Sequence, residues 1–161
     1  MASGAKADCV VLGAGALGLG FLGPELSPDC RITYLDITAK AALLDQLRGA
    51  GSYVFNETGL SMRPVTVAGV DGLCLGGEGA GRVQEALDAA DLVFTAVGER
   101  NLSKVAPLLA SAAQRRPAGR PLRILCAENG VEIAGSLRRG IERESGGRLS
   151  APPLVGDTVM G

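Results

Sequence analysis

The chain has 161 residues, a length that indicates one domain and leaves no room for two large ones. Its 16 basic and 17 acidic side chains give a net charge of −1, and this balance predicts neither a nucleic-acid partner nor a membrane-surface partner. The chain contains no His, which excludes Ser-His-Asp triads, Cys-His nucleophiles and His-ligated metal sites.

Six short apolar or β-branched runs predict strands. The first, CVVLG, is apolar throughout and ends in Gly, which is typical of a strand buried on both faces of a parallel sheet. Residues 1–7, which precede it, are small or polar and are expected to be flexible. In chain order, the predicted strands cover residues 9–13, 31–36, 64–70, 91–98, 122–129 and 153–160.

Apolar residues at helical spacing predict helices between the strands. Thr38 is expected to cap a helix that runs through Arg48. Pro24 predicts that the helix after the first strand ends or kinks near Leu22 and Gly23. Residues 68–82 are dense in Gly and have no period, which predicts a flexible surface loop. The helix after Thr38 is expected to place Leu43, Leu44 and Leu47 on its inner face. The expected inner faces of the later helices are Val83, Ala86, Leu87 and Ala90, then Leu102, Val105, Ala106 and Leu109, and, within residues 131–143, Ile133, Leu137 and Ile141.

The alternation of strands and helices defines the expected fold class. Such a pattern predicts an α/β fold with a doubly wound, mostly parallel sheet. Because crossovers between parallel strands are right-handed, helices are expected on both faces of this sheet.

The four cysteines give an expectation about the compartment. They are far apart in the sequence and form no C-x-x-C pair, which argues against a zinc ribbon or a thioredoxin motif. The uncharged stretch over residues 9–24 holds five glycines and lacks a clear cleavage site, so it is not expected to be a signal peptide. We therefore expect a reduced, cytoplasmic protein.

The sharpest local motif is GAGALG, which begins at Gly13 and matches G-x-G-x-x-G. Gly13 permits a tight turn out of the first strand, Gly15 lets the backbone approach a pyrophosphate, and Gly18 lets the following helix pack closely on the sheet. The N–H groups at the start of that helix favour phosphate. The alternative interpretation is a plain tight turn.

An acidic residue at the end of the second strand strengthens the dinucleotide interpretation. Asp36 stands 18 residues beyond Gly18, where a carboxylate can accept both ribose hydroxyls of an adenosine. It would repel a 2′-phosphate, so NAD is favoured over NADP. The alternative is that Asp36 serves the N-terminus of the next helix. Together these features predict a Rossmann fold with NAD as cofactor.

Longer segments carry a family resemblance. The stretch DLVFTAVGERNLSKVAPLLASAAQRR, then ILCAENG, together with GAGALGLGFLG and GSY, resembles the mannitol-1-phosphate dehydrogenase family and, more broadly, the polyol-specific long-chain dehydrogenases. The resemblance covers nearly the whole chain but only the NAD-binding half of the family.

The resemblance implies a set of cofactor-binding residues. Those at the pyrophosphate would be Gly13, Gly15, Ala16, Leu17 and Gly18, with Asp36 at the adenine ribose. Val97 and Gly98 would line the cleft, Asn101 would lie nearby, and Glu128 and Asn129 would lie close to the nicotinamide. Two alternatives stay open: Asn101 could be a helix N-cap, and Asn129 a turn or cap residue.

The family's catalytic Lys, with its Asn and His helpers, belongs to a helical C-terminal domain that we expect to be absent from this chain. The lysines Lys6, Lys40 and Lys104 do not match its pattern, so no catalytic residue is assigned. The expected role is the NAD-binding part of an oxidoreductase acting on a polyol phosphate, inactive alone. An uncovered apolar face would then favour self-association.

Three other functions fit parts of the pattern. A stand-alone NAD-binding module or sensor would need no acid–base residue. A methyltransferase would share the glycine turn but would usually carry an acidic residue just before it, where Val11 and Leu12 stand. An NADP-dependent reductase half would usually have a basic or small residue in place of Asp36.

Overall fold

The computed structural model describes residues 4–57 and 61–158. Most of its strands overlap the runs that were predicted from the sequence to form strands. Residues 1–3 of the predicted flexible segment, and residues 159–160 of the last predicted strand, lie outside this part of the chain. The strands are β1 (Ala7–Leu12), β2 (Cys30–Asp36), β3 (Ser52–Glu57), β4 (Arg63–Ala68), β5 (Val70–Cys74), β6 (Leu92–Thr95), β7 (Arg123–Cys126) and β8 (Leu154–Asp157).

Six of these strands form one parallel sheet in the order β5-β2-β1-β6-β7-β8. Strand β1 lies near the centre, with Val10 opposite Thr33 of β2 on one side and opposite Val93 of β6 on the other. The strand order reverses between β1 and β6, because the chain first builds outward to β5 and then returns to build toward β8. This reversal opens a crevice at the carboxyl ends of the two strands.

Helices cover both faces of the sheet, as predicted. On one face, Cys9 and Val11 pack with residues of the early helices; on the other, Val10 and Leu12 pack with residues of the later helices. This alternation explains why β1 is apolar at every position. The helices are α1 (Gly23–Leu26), α2 (Ala41–Ala50), α3 (Ala80–Ala89), α4 (Leu102–Arg115) and α5 (Ile133–Ser145), with 3₁₀ turns at Thr38–Lys40, Gly77–Gly79 and Glu99–Asn101.

The helix after β1 changes geometry where Pro24 predicted an interruption. Residues Gly18–Leu22 form a π turn, and α1 follows it directly at Gly23, with Pro24 in its first turn. In the wide turn the Gly23 N–H donates to the Gly18 carbonyl oxygen, five residues back. The next carbonyl oxygen, that of Leu19, lies five residues before Pro24 and gets no such hydrogen bond, because Pro24 has no N–H to donate.

Tyr53, in β3, supplies the missing donor. Its hydroxyl donates to the Leu19 carbonyl oxygen at 2.6 Å, and the Tyr34 hydroxyl donates to the Gly18 carbonyl oxygen at 3.2 Å. The two rings meet edge to face, with 6.3 Å between their centroids. Burial raises the pKa of both tyrosines above its ordinary value, so both stay protonated donors at neutral pH.

Two predictions about the region after α2 are wrong. The run over residues 64–70 is not a strand of the main sheet, because β4 pairs with β3 in a separate antiparallel hairpin. The strand that pairs with β2 at one edge of the sheet is instead β5, which lies inside the stretch predicted to be a flexible loop. Gly72 is required there, since a Cβ would overlap the backbone of Leu44 in α2.

The predicted cap of α2 is also wrong. Thr38 begins a 3₁₀ turn rather than capping the helix, and the N-cap residue of α2 is Lys40, without a side-chain capping hydrogen bond. The chain turns tightly after β2 because the Lys40 N–H bonds back to the Ile37 carbonyl oxygen at 2.9 Å. This turn brings the Lys40 side chain back toward the end of β1.

Candidate cofactor-binding site

A cleft of about 480 Å³ lies at the carboxyl ends of β1, β2 and β6, at the reversal of the strand order. This is the place where open parallel sheets bind their ligands. It brings together five of the residues predicted from the sequence, Gly13, Gly15, Asp36, Val97 and Asn101. The other lining residues are Leu35, Ile37, Lys40, Leu75, Ala96, Lys104 and Val105.

Two glycines of the G-x-G-x-x-G motif are needed for close backbone packing. Gly13 has a φ of +110°, and a Cβ there would overlap the carbonyl oxygen of Ala96, just after β6. A Cβ on Gly18 would overlap the carbonyl oxygen of Gly13. The first and last glycines therefore fix how the turn sits against the sheet.

Gly15 has a different surrounding. The nearest atom to a Cβ at Gly15 would be the Lys40 Nζ, at 3.7 Å, so the space above this residue is open toward the cleft. The helix begins at once, with Ala16 exposed, Leu17 half-buried and Gly18 buried. Because the first N–H groups of a helix have no partner within it, they can donate to an anion. An open glycine backed by such donors fits a pyrophosphate.

Asp36 stands at the end of β2 with its carboxylate turned to the glycine turn. Its Oδ2 accepts the Ala14 N–H at 2.8 Å, and its Oδ1 accepts the Ile37 N–H at 2.7 Å. The side chain is only 13% exposed, on the cleft side. The predicted ribose-binding carboxylate thus also holds the glycine turn against β2.

Lys40 completes this group, and the sequence interpretation did not include it. Its Nζ lies 3.0 Å from Asp36 Oδ2 and donates to the Ala14 carbonyl oxygen, also at 3.0 Å. Its side chain is 38% exposed, so the ammonium covers part of the carboxylate from the cleft side. The only available signal was the spacing of four residues from Asp36, which is common on helix surfaces.

On the opposite side of the cleft, Glu128 holds the loop that follows β6. Its Oε1 accepts the Val97 N–H and its Oε2 accepts the Gly98 N–H, both at 2.9 Å. Gly98 has a φ of +83°, a conformation that favours glycine. Glu128 therefore acts on the cleft through the shape of the loop.

Asn101 joins the same loop. It stands at the N-cap position of α4, but its side chain makes no capping bond; its Nδ2 donates to the Val97 carbonyl oxygen at 2.9 Å. Its Oδ1 accepts from the Lys104 Nζ, also at 2.9 Å. The side-chain capping role is thus not observed. Asn129 is exposed and lies outside the residues that line the cleft.

Three of the four thiols are buried in the sheet, those of Cys9, Cys30 and Cys126. Cys126 ends β7, and burial raises the pKa of its thiol to about 11. Burial, together with the Cys30 thiol 3.0 Å away, raises the pKa of Cys9 as well. The raised pKa values keep the Cys9 and Cys126 thiols protonated near neutral pH. Within residues 4–57 and 61–158, His, Cys, Asp and Glu form no group of three or more that could hold a metal ion.

The strand order, the glycine turn and the carboxylate at the end of β2 together define a dinucleotide-binding domain of the Rossmann type. The sequence adds the family. The chain belongs to the mannitol dehydrogenase Rossmann domain family, which it matches over residues 7–151. Membership in this family implies a nicotinamide dinucleotide as cofactor.

The similar curated proteins are much longer than this chain. It is 32% identical, over 156 residues, to a mannitol-1-phosphate 5-dehydrogenase of Paenarthrobacter aurescens, an alignment that covers 94% of this chain and 40% of the relative. It is 30% identical to a protein of the same name from Lactiplantibacillus plantarum, over 82% of this chain and 34% of the relative. The chain therefore spans about 40% of the length of the first of these relatives.

Solved structures agree on the fold. A glycerol-3-phosphate dehydrogenase from Coxiella burnetii has a TM-score of 0.56 at 15% identity, over 88% of this chain and 38% of its own. The TrkA-N domain of an inner membrane protein of Escherichia coli also has a TM-score of 0.56, at 16% identity, over 97% of this chain and 88% of its own. Among the described residues, no helix has the length and apolar character needed to cross a bilayer.

Proposed function

We propose that the chain binds NAD in the cleft and is the cofactor-binding part of an oxidoreductase that acts on a polyol phosphate such as mannitol 1-phosphate. One observation carries this proposal: Gly15, open to the cleft, and the Asp36 carboxylate lie at the ends of neighbouring strands in one cavity. The names of the curated relatives support the substrate class.

Each part of the cleft has a proposed task. The backbone at Gly15 and the helix that follows would hold the pyrophosphate, and Asp36 would accept hydrogen bonds from the adenine ribose. The loop at Val97 and Gly98, fixed by Glu128, would shape the path toward the nicotinamide. Asn101 would hold this loop from the side of α4.

When bound, NAD supplies the hydride acceptor for oxidation of a secondary alcohol to a ketone, as from mannitol 1-phosphate to fructose 6-phosphate. The described residues of this chain bind and orient the cofactor. We assign no general base among them, because Lys6, Lys40 and Lys104 make contacts that differ from a base directed at a substrate. Lys6 donates to the Ser27 carbonyl oxygen, Lys40 donates to the Ala14 carbonyl oxygen and forms an ion pair with Asp36, and Lys104 donates to Asn101 Oδ1.

Calorimetric titration of the purified chain with NAD tests the proposal. Replacement Gly15→Val should abolish saturable NAD binding while the midpoint of thermal unfolding changes little, because the new side chain would fill open space rather than protein. The matched control is Gly49→Ala, at an exposed glycine of α2 with no atom within 4 Å of an added Cβ, which should bind NAD as the parent does.

Two results would contradict the proposal. One is unchanged NAD binding by the Gly15→Val variant, which would place the ligand elsewhere. The other is saturable binding of S-adenosylmethionine with no binding of either nicotinamide dinucleotide, which would support a methyltransferase instead.

We also propose a cytoplasmic location. All four cysteines are free thiols, which is usual in a reducing compartment. Fractionation of lysed cells should then place the chain in the cytosolic fraction.

A further inference from the structure

The ribose end of the cleft contains an ion pair rather than a free carboxylate. Asp36 Oδ2 already accepts the Ala14 N–H, and the Lys40 ammonium lies 3.0 Å from the same oxygen. A carboxylate has about four acceptor positions, of which the Ala14 N–H at Oδ2 and the Ile37 N–H at Oδ1 fill two, and the Lys40 ammonium lies against the oxygen that the Ala14 N–H already uses. A ribose presents two hydroxyl groups, and the ammonium of Lys40 competes with one of them for the space beside Asp36 Oδ2.

The local helix does not explain Lys40. It is the N-cap residue of α2, where a cation opposes the helix dipole, and the first turn of α2 contains no acidic residue. The ammonium has three donors, of which the Ala14 carbonyl oxygen accepts one; it forms an ion pair with Asp36, and its side chain is more exposed than that of Asp36. A cation with a free donor thus faces the cleft beside the expected ribose position.

We infer that Lys40 is a specificity-determining residue that weakens the discrimination between NAD and NADP in this cleft. This inference rests on the proposed function and adds to it. A free carboxylate at the end of β2 would repel a 2′-phosphate, whereas the paired one carries no net charge with its partner. The long, flexible side chain of Lys40 can follow a phosphate on the ribose and bond to it with a charged donor.

The structure thus assigns opposite effects of Lys40 on the two cofactors. For NAD, the ammonium competes with a ribose hydroxyl for Asp36 Oδ2. For NADP, it offsets the charge of Asp36 and donates to the 2′-phosphate. Asp36 favours NAD, and Lys40 limits how large that preference becomes.

Titration of the full chain with NAD and with NADP, for the parent and three lysine variants, tests the inference. In Lys40→Met, which keeps the apolar stem, the affinity for NADP should fall about tenfold and that for NAD should hold or rise, because a charge-assisted hydrogen bond to the 2′-phosphate is lost. Lys40→Arg keeps a charged donor and should retain NADP binding. Lys104→Met is the matched control: it removes a cation that lines the same cleft but bonds to Asn101 rather than Asp36.

The outcomes separate this inference from the proposed function. If the parent binds neither dinucleotide, both are wrong. If it binds NAD, and Lys40→Met leaves the ratio of the two affinities unchanged, the inference alone is wrong. The inference is also wrong if Lys104→Met changes that ratio as much as Lys40→Met does. The ratio would then depend on the total positive charge of the cleft and not on the position of Lys40. Raising the salt concentration should weaken NADP binding by the parent more than by Lys40→Met.

Discussion

At the glycine turn that follows β1, backbone packs on backbone: Gly13 lies against the Ala96 carbonyl oxygen and Gly18 against that of Gly13, because neither glycine has a Cβ atom. On the side formed by β6 and β7, the loop keeps its course because one carboxylate, Glu128, accepts the N–H groups of Val97 and Gly98. The first arrangement is damaged when an atom is added, and the second when an acceptor is removed. The two sides should therefore respond to different kinds of substitution, even though they enclose one cleft.

The largest effect is expected on the glycine side. Replacement Gly18→Ala should lower the free energy of unfolding by about 3 kcal/mol, because the added methyl group would overlap the Gly13 carbonyl oxygen and force the helix from the sheet. Urea unfolding followed by circular dichroism measures this. The same change at Gly49, exposed in α2, should instead stabilise the chain by about 0.5 kcal/mol. Equal midpoints for the two variants would contradict the steric explanation.

A smaller effect is expected on the side held by Glu128. In Glu128→Gln, one carboxylate oxygen becomes an NH₂ group that faces a backbone N–H, so one of the two bonds to the loop is lost. The free energy of unfolding should fall by about 2 kcal/mol, and NAD binding should weaken with it. Glu144→Gln, exposed on α5, is the control and should change stability by less than about 0.5 kcal/mol. A Glu128→Gln variant as stable as this control would show that the loop holds its shape unaided.

The side formed by β6 and β7 should also weaken at high pH. The thiol of Cys126 has a pKa of about 11 in the folded chain, raised by burial from 9.0. Its contribution to stability is complete below pH 9 and is lost as the pH rises from 9 toward 11, because the unfolded chain ionises first. Between pH 8 and pH 11, the free energy of unfolding should fall in both proteins, and the fall should be smaller in Cys126→Ala than in the parent by up to about 2 kcal/mol.

Both proteins should still lose stability at high pH, since burial also raises the pKa values of Cys9 and Tyr34. The measurement is the difference between the two pH profiles, so the cavity left by the alanine cancels. Parallel profiles over this range would contradict the raised pKa of Cys126 in the folded chain.

The same contrast explains how much of the fold the sequence predicts. Strands β1, β2, β6 and β7 were predictable because each lies in a run of apolar, β-branched or aromatic residues with clear ends. Strand β5 was not, because Asp71 and Gly72 interrupt it and the reason for Gly72, the backbone of Leu44, lies far away in the sequence. The alternating run that became β4 is compatible equally with a hairpin and with a sheet strand, so local pattern could not separate them.

The site divides in a similar way. The position of Gly13, Gly15 and Asp36 in the cleft was predictable because it follows from a local turn and its spacing. Lys40 was not predictable, because its contact with Asp36 depends on the 3₁₀ turn that folds the chain back after β2. The hydrogen bonds of Glu128 join loops about 30 residues apart in the chain, and only the pairing of β6 with β7 brings them together.

The hydrogen bond from Tyr53 to the Leu19 carbonyl oxygen makes two distant positions dependent on each other in evolution. Pro24 can persist while Tyr53 supplies the donor, and Tyr53 is under this constraint while Pro24 is present. A lineage that first replaces Pro24 with a residue bearing an N–H releases Tyr53 to vary. A lineage that first loses the tyrosine hydroxyl must carry an unpaired carbonyl group in the helix that begins at the glycine turn. The accessible order of substitutions therefore has a direction, with the proline changing before the tyrosine.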